Sequence, residues 1–521
     1  MPDGSISSSS EHHTPAWIRW VTPSVADLIF VATLCVLVFT PLSVRLLGDA
    51  GIGWHIRTGQ QILATHSVPH VDPFSSTMAG KPWFAWEWLY DTVVGELEAQ
   101  LSLNGVVWFT AVVIAAVFAW TFRLLIARET QICIAVALVL LALSASTIHF
   151  LARPHVLSWL FTLAWFWILD SSDRDGSALS RRLWLLPPMM LLWVNIHGGW
   201  LMGFVLLGIF LLSALWTRFR TKENRLEDSL QKIAAVKRAR KLAWITLFSA
   251  VASLGNPYGW KLHAHVYTYL SNRFLMDHID EFQSPNFHLI AQRCFLVLLL
   301  VTLAALALRG RELRMSHGLT VLFAVYAGLY ASRNIPVSAL LLVMIIGPLL
   351  SSNKSSSGFF HRMRAMESKI RGHLWPALAI LFTLYIAAGR GRLDSTLLMN
   401  AHFDPHRMPI DAVNYIVNHD VKGPILSLDY WGGYLIYRLH PKEKIVLDDR
   451  HDLYGPDFFK SYLELIHAEP GWDDFLQQHQ ASCIVVPTQS PLATVLTESG
   501  DWKPIYSDTT AVVFTKRLYN P

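Results

Sequence analysis

Long apolar runs short of charge alternate along this chain with polar breaks of two kinds, one rich in Lys and Arg, the other carrying Asp, Glu, His, Asn and an occasional Arg. A hydrocarbon core of roughly 30 Å takes about 20 apolar helical residues. Runs approaching that length lie at 26–47, 104–124, 131–150, 155–170, 183–197, 199–217, 241–255, 294–309, 318–332, 335–350 and 374–388. The pattern predicts a polytopic α-helical membrane protein with about 11 transmembrane helices. Near residue 400 the pattern changes. Short β-branched runs at 424–428, 444–447, 482–486 and 511–515 alternate with helical stretches at 455–466 and 472–479, which predicts a C-terminal α/β domain. The chain is therefore divided into an N-terminal tail, 1–25, a transmembrane domain, 26–390, with a large first outer loop at 48–103, and a soluble domain, 400–521. The Ser-rich stretch 351–358 reads as a linker.

Composition agrees with this division: 53% of the 521 residues are hydrophobic and only 16% charged, more apolar than a soluble chain of this size needs for its core. Charge then sets an orientation, because Lys and Arg are retained in cytoplasmic loops. The segment from Arg218 to Lys241 is the most basic, with Arg220, Lys222, Arg225, Lys232, Lys237, Arg238 and Arg240 between its ends. Placing it inside puts four other basic groups inside too: Arg123 with Arg128; Arg174 with Arg181 and Arg182; Arg309 with Arg311 and Arg314; and Arg362 with Arg364, Lys369 and Arg371. The N-terminus is then cytoplasmic and the C-terminal domain extracytoplasmic. The basic balance is accounted for by the membrane, and nucleic acid is not expected as a partner. Met1 to Trp20 is polar, so the first apolar run reads as a retained anchor rather than a cleaved signal. Cys35, Cys133, Cys294 and Cys483 show no metal or disulfide spacing and read as packing residues.

Candidate chemistry gathers on the outward side. The first outer loop contains Gly48-Asp49-Ala50-Gly51-Ile52-Gly53-Trp54-His55-Ile56, then Asp72-Pro73-Phe74-Ser75, then Glu87-Trp88-Leu89, and its aromatic density suggests helices lying in the membrane interface. Asp49 follows the first span, where an unpaired carboxylate is costly; its plain alternative is a cap on the next helix. Further outward motifs are His149 to His155, Asn195-Ile196-His197-Gly198-Gly199, Gly255 to Gly259, Glu281 to Asn286 and Ser332-Arg333-Asn334-Ile335-Pro336. A lone His or Asn at such a place is more often a cap or an interhelical hydrogen bond. The whole collection predicts a polar cavity at one level.

These motifs, with Asp429-Tyr430-Trp431-Gly432-Gly433-Tyr434 and Asp448-Asp449-Arg450 in the tail, resemble the GT-C superfamily of polyprenyl-phosphate-sugar-dependent glycosyltransferases, which includes protein mannosyltransferases and lipid A aminoarabinose transferases. The resemblance implies a multi-pass protein of the bacterial inner membrane. It implies transfer of a sugar from a polyprenyl-phosphate-linked donor to a glycan, lipid or protein acceptor, with an acidic residue after the first span as base or metal ligand. Asp49 occupies that place, but the first outer loop has no Asp-Asp or Asp-Glu dipeptide as in the mannosyltransferases, which leaves the identity of the base open.

The chemistry asks for a base at the acceptor hydroxyl and cations at the phosphate. Asp49 and Glu87 are the catalytic candidates, and Arg153 and Arg333 the phosphate clamps. His55, His155, Asn195, His197, Glu281 and Asn334 complete the substrate-binding set. A divalent metal ion is admitted as a cofactor, although Asp49, His55 and Glu87 match no metal-site spacing. Two other functions are weighed. A transporter or flippase of a lipid-linked glycan would need polar groups at mid-depth, where the spans carry almost none. A non-catalytic envelope assembly protein would present the patch around Asp448, Asp449, Arg450 and Asp452, whose plain reading is a solvated loop after a strand.

Overall fold

The computed structural model describes residues 16–174, 181–221, 226–351, 358–370 and 372–517. Lys222, Arg225 and Arg371, the tail before residue 16 and most of the Ser-rich linker lie outside the described residues. Each predicted span coincides with a helix, but the helices are unequal. Among the described residues six are long and apolar enough to cross a membrane: Arg19–Phe39, Trp88–Ala127, Ile132–His149, Gly198–Arg220, Ile290–Glu312 and Ser332–Ser351. The pair Gly358–Lys369 and Leu374–Ala388, bent by 56°, makes a seventh if it is one span.

The others fall short of the expected 11 for identifiable reasons. Leu186–Trp193 has 8 residues and opens on two prolines. His155–Arg174 ends in Asp170, Asp173 and Arg174. Leu226–Ser253 carries charge through its first half. The first span also stops earlier than its apolar run, because Thr40 is extended and Pro41 follows it. The second reaches back to Trp88, with a break at Ser102 (φ 57°, ψ −162°) that the sequence pattern does not announce.

The two ends of the helical bundle differ in chemistry. At one end Asp170 holds Arg128, accepts from Arg174 Nε at 2.9 Å and meets His317 Nε2 at 2.5 Å, while Asp173 pairs with Arg238 and accepts from Ser316. These bonds tie together the helices that the basic loops connect. The opposite end carries Asp49, Arg153, His197 and Arg333.

That opposite end is covered by the C-terminal region. Its sheet has four strands in the order Ile425–Ser427, Cys483–Pro487, Ala511–Lys516, Trp502–Ser507; the first pair is parallel and the others antiparallel. The predicted strand at 444–447 appears as isolated bridges, Ile445 pairing with both Ile425 and Ser75. The first loop thereby joins this sheet: Ser76 N donates to Ile445 O at 2.8 Å and Thr77 Oγ1 to Val446 O at 2.6 Å. Met78, Leu275 and Ile279 pack into the same apolar core as Leu426, Phe459, Ile484 and Phe514. Two of the loop aromatics are taken up by this contact. Trp54 and Trp83 are buried, because their rings cover the guanidinium of Arg450, 4.6 Å from the Trp83 centroid.

The closest approach between loop and tail is glycine on glycine. A Cβ on Gly53, in the Ile52–Thr65 helix, would strike the carbonyl of Gly433 in the Asp429–Leu439 helix, and one on Gly433 would strike the carbonyl of Ala50. Two of the motifs noticed in the sequence are therefore the two faces of one helix contact.

Candidate active site

A cavity of about 1390 Å³ lies between the bundle end and the C-terminal region. Of the residues picked out by sequence, Asp49, Glu87, Arg153, His155, His197, Glu281, Arg333 and Asn334 all line it. His55 and Asn195 do not. Asn195 is a joint between segments: Oδ1 accepts from Trp88 Nε1 at 2.7 Å, and Nδ2 donates to the carbonyls of Leu191 and Gly255. His55 is fully buried behind the wall.

Asp49 combines the two readings its position allowed. Its Oδ1 accepts from Gly51 N at 2.8 Å, at the start of the next helix, and from Arg153 Nη1 at 3.0 Å. The same Nη1 donates to Asp449 Oδ2 at 2.9 Å, and Trp54 Nε1 donates to Asp449 Oδ1 at 2.9 Å. Gly51 permits this crowding, since a Cβ there would overlap the Arg153 guanidinium. Burial, countered by Arg153 but reinforced by Asp49 and Asp448, raises the Asp449 carboxyl to about 6. On the other wall Arg333 Nη1 pairs with Glu281 Oε1 at 3.0 Å and lies 4.4 Å from the Phe282 ring centroid.

Glu87 has the most unusual surroundings. It precedes the long Trp88–Ala127 helix and is 8% exposed. Burial, partly offset by Arg153, pushes its carboxyl up to about 8. Two imidazoles flank it. His197 Nδ1 accepts from Gly199 N at 3.0 Å, which leaves the ring proton on Nε2, 3.9 Å from Glu87 Oε1. His55 Nδ1 is 2.5 Å from Asp91 Oδ1, and its Nε2 stands 3.7 Å from Glu87 Oε2. Burial and then Arg153 hold the His55 imidazole well below its ordinary range, so it is neutral. An imidazole nitrogen thus faces each of the two Glu87 oxygens. His55 Nε2 and Asp91 Oδ2 are buried without hydrogen-bond partners among the described residues. A proton thus rests on Glu87 rather than on the neighbouring His55 ring.

The tail patch is not a solvated loop. Asp448 and Arg450 are buried: the Arg450 fork takes both Asp448 oxygens at 2.7 and 2.6 Å and reaches Asp72 Oδ1 of the first loop at 2.9 Å, while Tyr454 OH donates to Asp448 at 2.9 Å. Alternation explains the reversal, since Asp448 and Arg450 turn inward and Asp449 between them turns to the cavity. Sequence reasoning also passed over Asp91, Asp429 and His451. Asp429 Oδ2 lies 2.9 Å from His451 Nε2, and its Oδ1 accepts from Tyr462 OH at 3.0 Å. The Asp429 motif was the available signal for that pair; Asp91 had none, being an ordinary first-turn acid on a helix.

No group of three or more His, Cys, Asp or Glu is arranged to hold a metal ion among the described residues, and the cavity carboxylates nearest that role are engaged with Arg153 and Arg333.

Burial alone would raise the Asp72 carboxyl, but Arg450 and hydrogen bonds from Ser75 and Phe74 outweigh it and leave it below the usual carboxylate range. A carboxyl depressed on folding contributes stability above its unfolded value of about 3.9 and loses it as pH falls further. Unfolding of the detergent-solubilised protein should therefore become markedly easier below about pH 4. In an Asp72→Asn variant that acid-dependent loss should be smaller, and an equal loss in both proteins would contradict the assignment.

No family model matches the chain, and no curated protein sequence matches it. Among solved structures it is similar to the crystal structure of ArnT from Cupriavidus metallidurans bound to undecaprenyl phosphate, with 14% identity, a TM-score of 0.48, and 95% of this chain and 97% of that chain covered.

Proposed function

We propose that the chain is a glycosyltransferase that moves a sugar from a polyprenyl-phosphate-linked donor to an acceptor hydroxyl. The observation that carries this reading is the cavity itself. At about 1390 Å³ it exceeds the roughly 300–1,000 Å³ of ordinary single-ligand sites. It is lined from one end of the bundle only, and it sets a protonatable buried carboxyl among guanidiniums. Such a site has room for a donor headgroup and an acceptor together.

The residues divide the work as follows. Glu87, once ionised, takes the proton of the acceptor hydroxyl, whose oxygen then forms the new bond to the anomeric carbon. The bond from that carbon to the phosphate oxygen breaks, and the polyprenyl phosphate leaves with one more negative charge, which the cavity guanidiniums balance. Asp49, steadied by Arg153, accepts hydrogen bonds from the acceptor or sugar. Arg333, paired among the described residues with Glu281 alone, has N–H groups left for phosphate oxygens.

The test is release of polyprenyl phosphate, and sugar incorporation, from a panel of labelled polyprenyl-phosphate sugars in proteoliposomes at matched expression. Asp49→Asn and Arg333→Ala should each lower turnover at least about tenfold, the loss expected for a charged hydrogen bond. Wild-type turnover in both variants would reject these roles. Movement of an intact lipid-linked glycan across the bilayer without bond cleavage would reject the transferase reading.

A further inference from the structure

Glu87 is 8% exposed, yet among the described residues nothing hydrogen-bonds its carboxyl; two imidazole nitrogens stand just beyond that reach, His197 Nε2 at 3.9 Å from Oε1 and His55 Nε2 at 3.7 Å from Oε2. Of the two histidines, His197 lines the cavity and His55 does not. The gap between Oε1 and His197 Nε2 is too long for a hydrogen bond and of the right size for a third atom shared by both. An oxygen about 2.8 Å from each would see them about 90° apart, close to the angle between a hydroxyl's hydrogen and its lone pair.

The His197 ring is held so that Nε2 donates into this gap. Its Nδ1 accepts from Gly199 N at 3.0 Å, and a backbone N–H can only donate, so Nδ1 bears no proton. Ser158 Oγ lies 2.8 Å from the same Nδ1 and accepts from Trp193 Nε1 at 2.8 Å. An indole N–H only donates and an unprotonated Nδ1 only accepts, so these bonds run one way, from Trp193 to Ser158 to His197. Trp193 and Ser158 are both buried, which anchors the chain of bonds in the bundle. Gly199 is needed for it as well: a Cβ there would stand 2.5 Å from Ser158 Oγ and 2.8 Å from His197 Nδ1. The Asn-x-His-Gly-Gly motif and two bundle residues thus fix one tautomer of one ring, with its proton on the nitrogen nearest Glu87.

We propose that the nucleophile's oxygen sits between Glu87 Oε1 and His197 Nε2, and that His197 selects a hydroxyl over an amine as the attacking group, with Ser158 as the residue that positions it. The assignment rests on the glycosyltransferase reading and specifies its acceptor. The hydroxyl proton goes to ionised Glu87, one oxygen lone pair accepts from His197 Nε2, and the other forms the bond to the anomeric carbon as that carbon's bond to the phosphate oxygen breaks. An amine nitrogen has a single lone pair, and attack leaves none for His197. An amine at this place strands the imidazole N–H, and discrimination of this kind, by a polar group left unpaired, is strong.

The experiment follows release of polyprenyl phosphate from labelled donors by the full-length protein in proteoliposomes at pH 8, with methanol or methoxyamine, an amine uncharged at this pH, as acceptor probe. The wild type should use methanol at least as well as methoxyamine, although the amine is the stronger nucleophile, and His197→Phe should lose that preference. His197→Phe should also lower kcat/KM for methanol about tenfold or more, the loss for one hydrogen bond, with the KM for the donor unchanged. His197→Gln, whose amide N–H falls where Nε2 was, should restore most of the loss; His197→Asn, whose amide reaches only the Nδ1 position, should not. In solid-state ¹⁵N NMR of histidine-labelled protein, the signal that disappears in His197→Gln should be a neutral ring protonated on Nε2, and Ser158→Ala should admit the other tautomer. Equal losses in the Gln and Asn variants, an acceptor preference unchanged in His197→Phe, or a wild-type ring protonated on Nδ1 would each overturn the assignment while sugar transfer by the wild type stands. Release from no donor by the wild type would remove the transferase reading, and this assignment with it.

Discussion

Glu87→Gln should lower the turnover of sugar transfer by about 10²–10⁴-fold while leaving the KM for the donor nearly unchanged, because it removes proton acceptance without removing bulk or phosphate contacts. The pH dependence makes the expectation specific. With the carboxyl at about 8 in the folded chain, Glu87 is mostly protonated at neutral pH and ionises as pH rises. In the wild type kcat/KM should climb through a limb near pH 8, and in Glu87→Gln that limb should vanish from whatever rate remains. His55→Phe should shift the limb, since it deletes the ring nitrogen facing Oε2 and leaves Asp91 without its partner. A rate insensitive to Glu87→Gln, or a pH profile identical in both proteins, would remove Glu87 from the chemistry and leave Asp49 as the remaining candidate.

Arg450→Ala should destabilise the protein by about 3–5 kcal/mol, the range for leaving buried charge without its partner. Arg450 is the only guanidinium bonded to either Asp72 or Asp448 among the described residues, both carboxylates are buried, and its fork is enclosed by Trp54, Phe74 and Trp83. The loss should appear as a lowered unfolding midpoint in detergent. Restoring neutrality by adding Asp72→Asn and Asp448→Asn to an Arg450→Met background should recover part of it, because the cost lies in the stranded carboxylates more than in the missing contact. A midpoint for Arg450→Ala equal to wild type would show that Arg450 does not hold loop and tail together.

Apolar periodicity located each of the six helices that are long and apolar enough to cross a membrane among the described residues, and three of the four strands of the tail sheet, because both signals are local. The number of crossings was not legible in the same way, since length, proline and terminal charge separate a spanning helix such as Ile290–Glu312 from a short one such as Leu186–Trp193. At the site, Asp49, Arg153 and Arg333 were legible because charge at the end of an apolar run is costly wherever it occurs. His55 and Asn195 looked the same in sequence and turned out to face inward, toward Asp91 and Trp88. Asp449 shows the opposite limit. Its bond to Arg153 joins residues 296 positions apart, and nothing in its neighbourhood distinguishes a carboxylate that crosses to another segment from one that meets water.

The glycine contact between the Ile52–Thr65 and Asp429–Leu439 helices, with the Asp72–Arg450 bond beside it, bears on how the protein is made. The first loop is synthesised before its partners in the tail, so the wall bearing Asp449 and His451 closes only after the bundle helices between them have been made. Because residues of both bundle and tail line the cavity, the pocket around Glu87 is complete only once the tail has docked on the bundle.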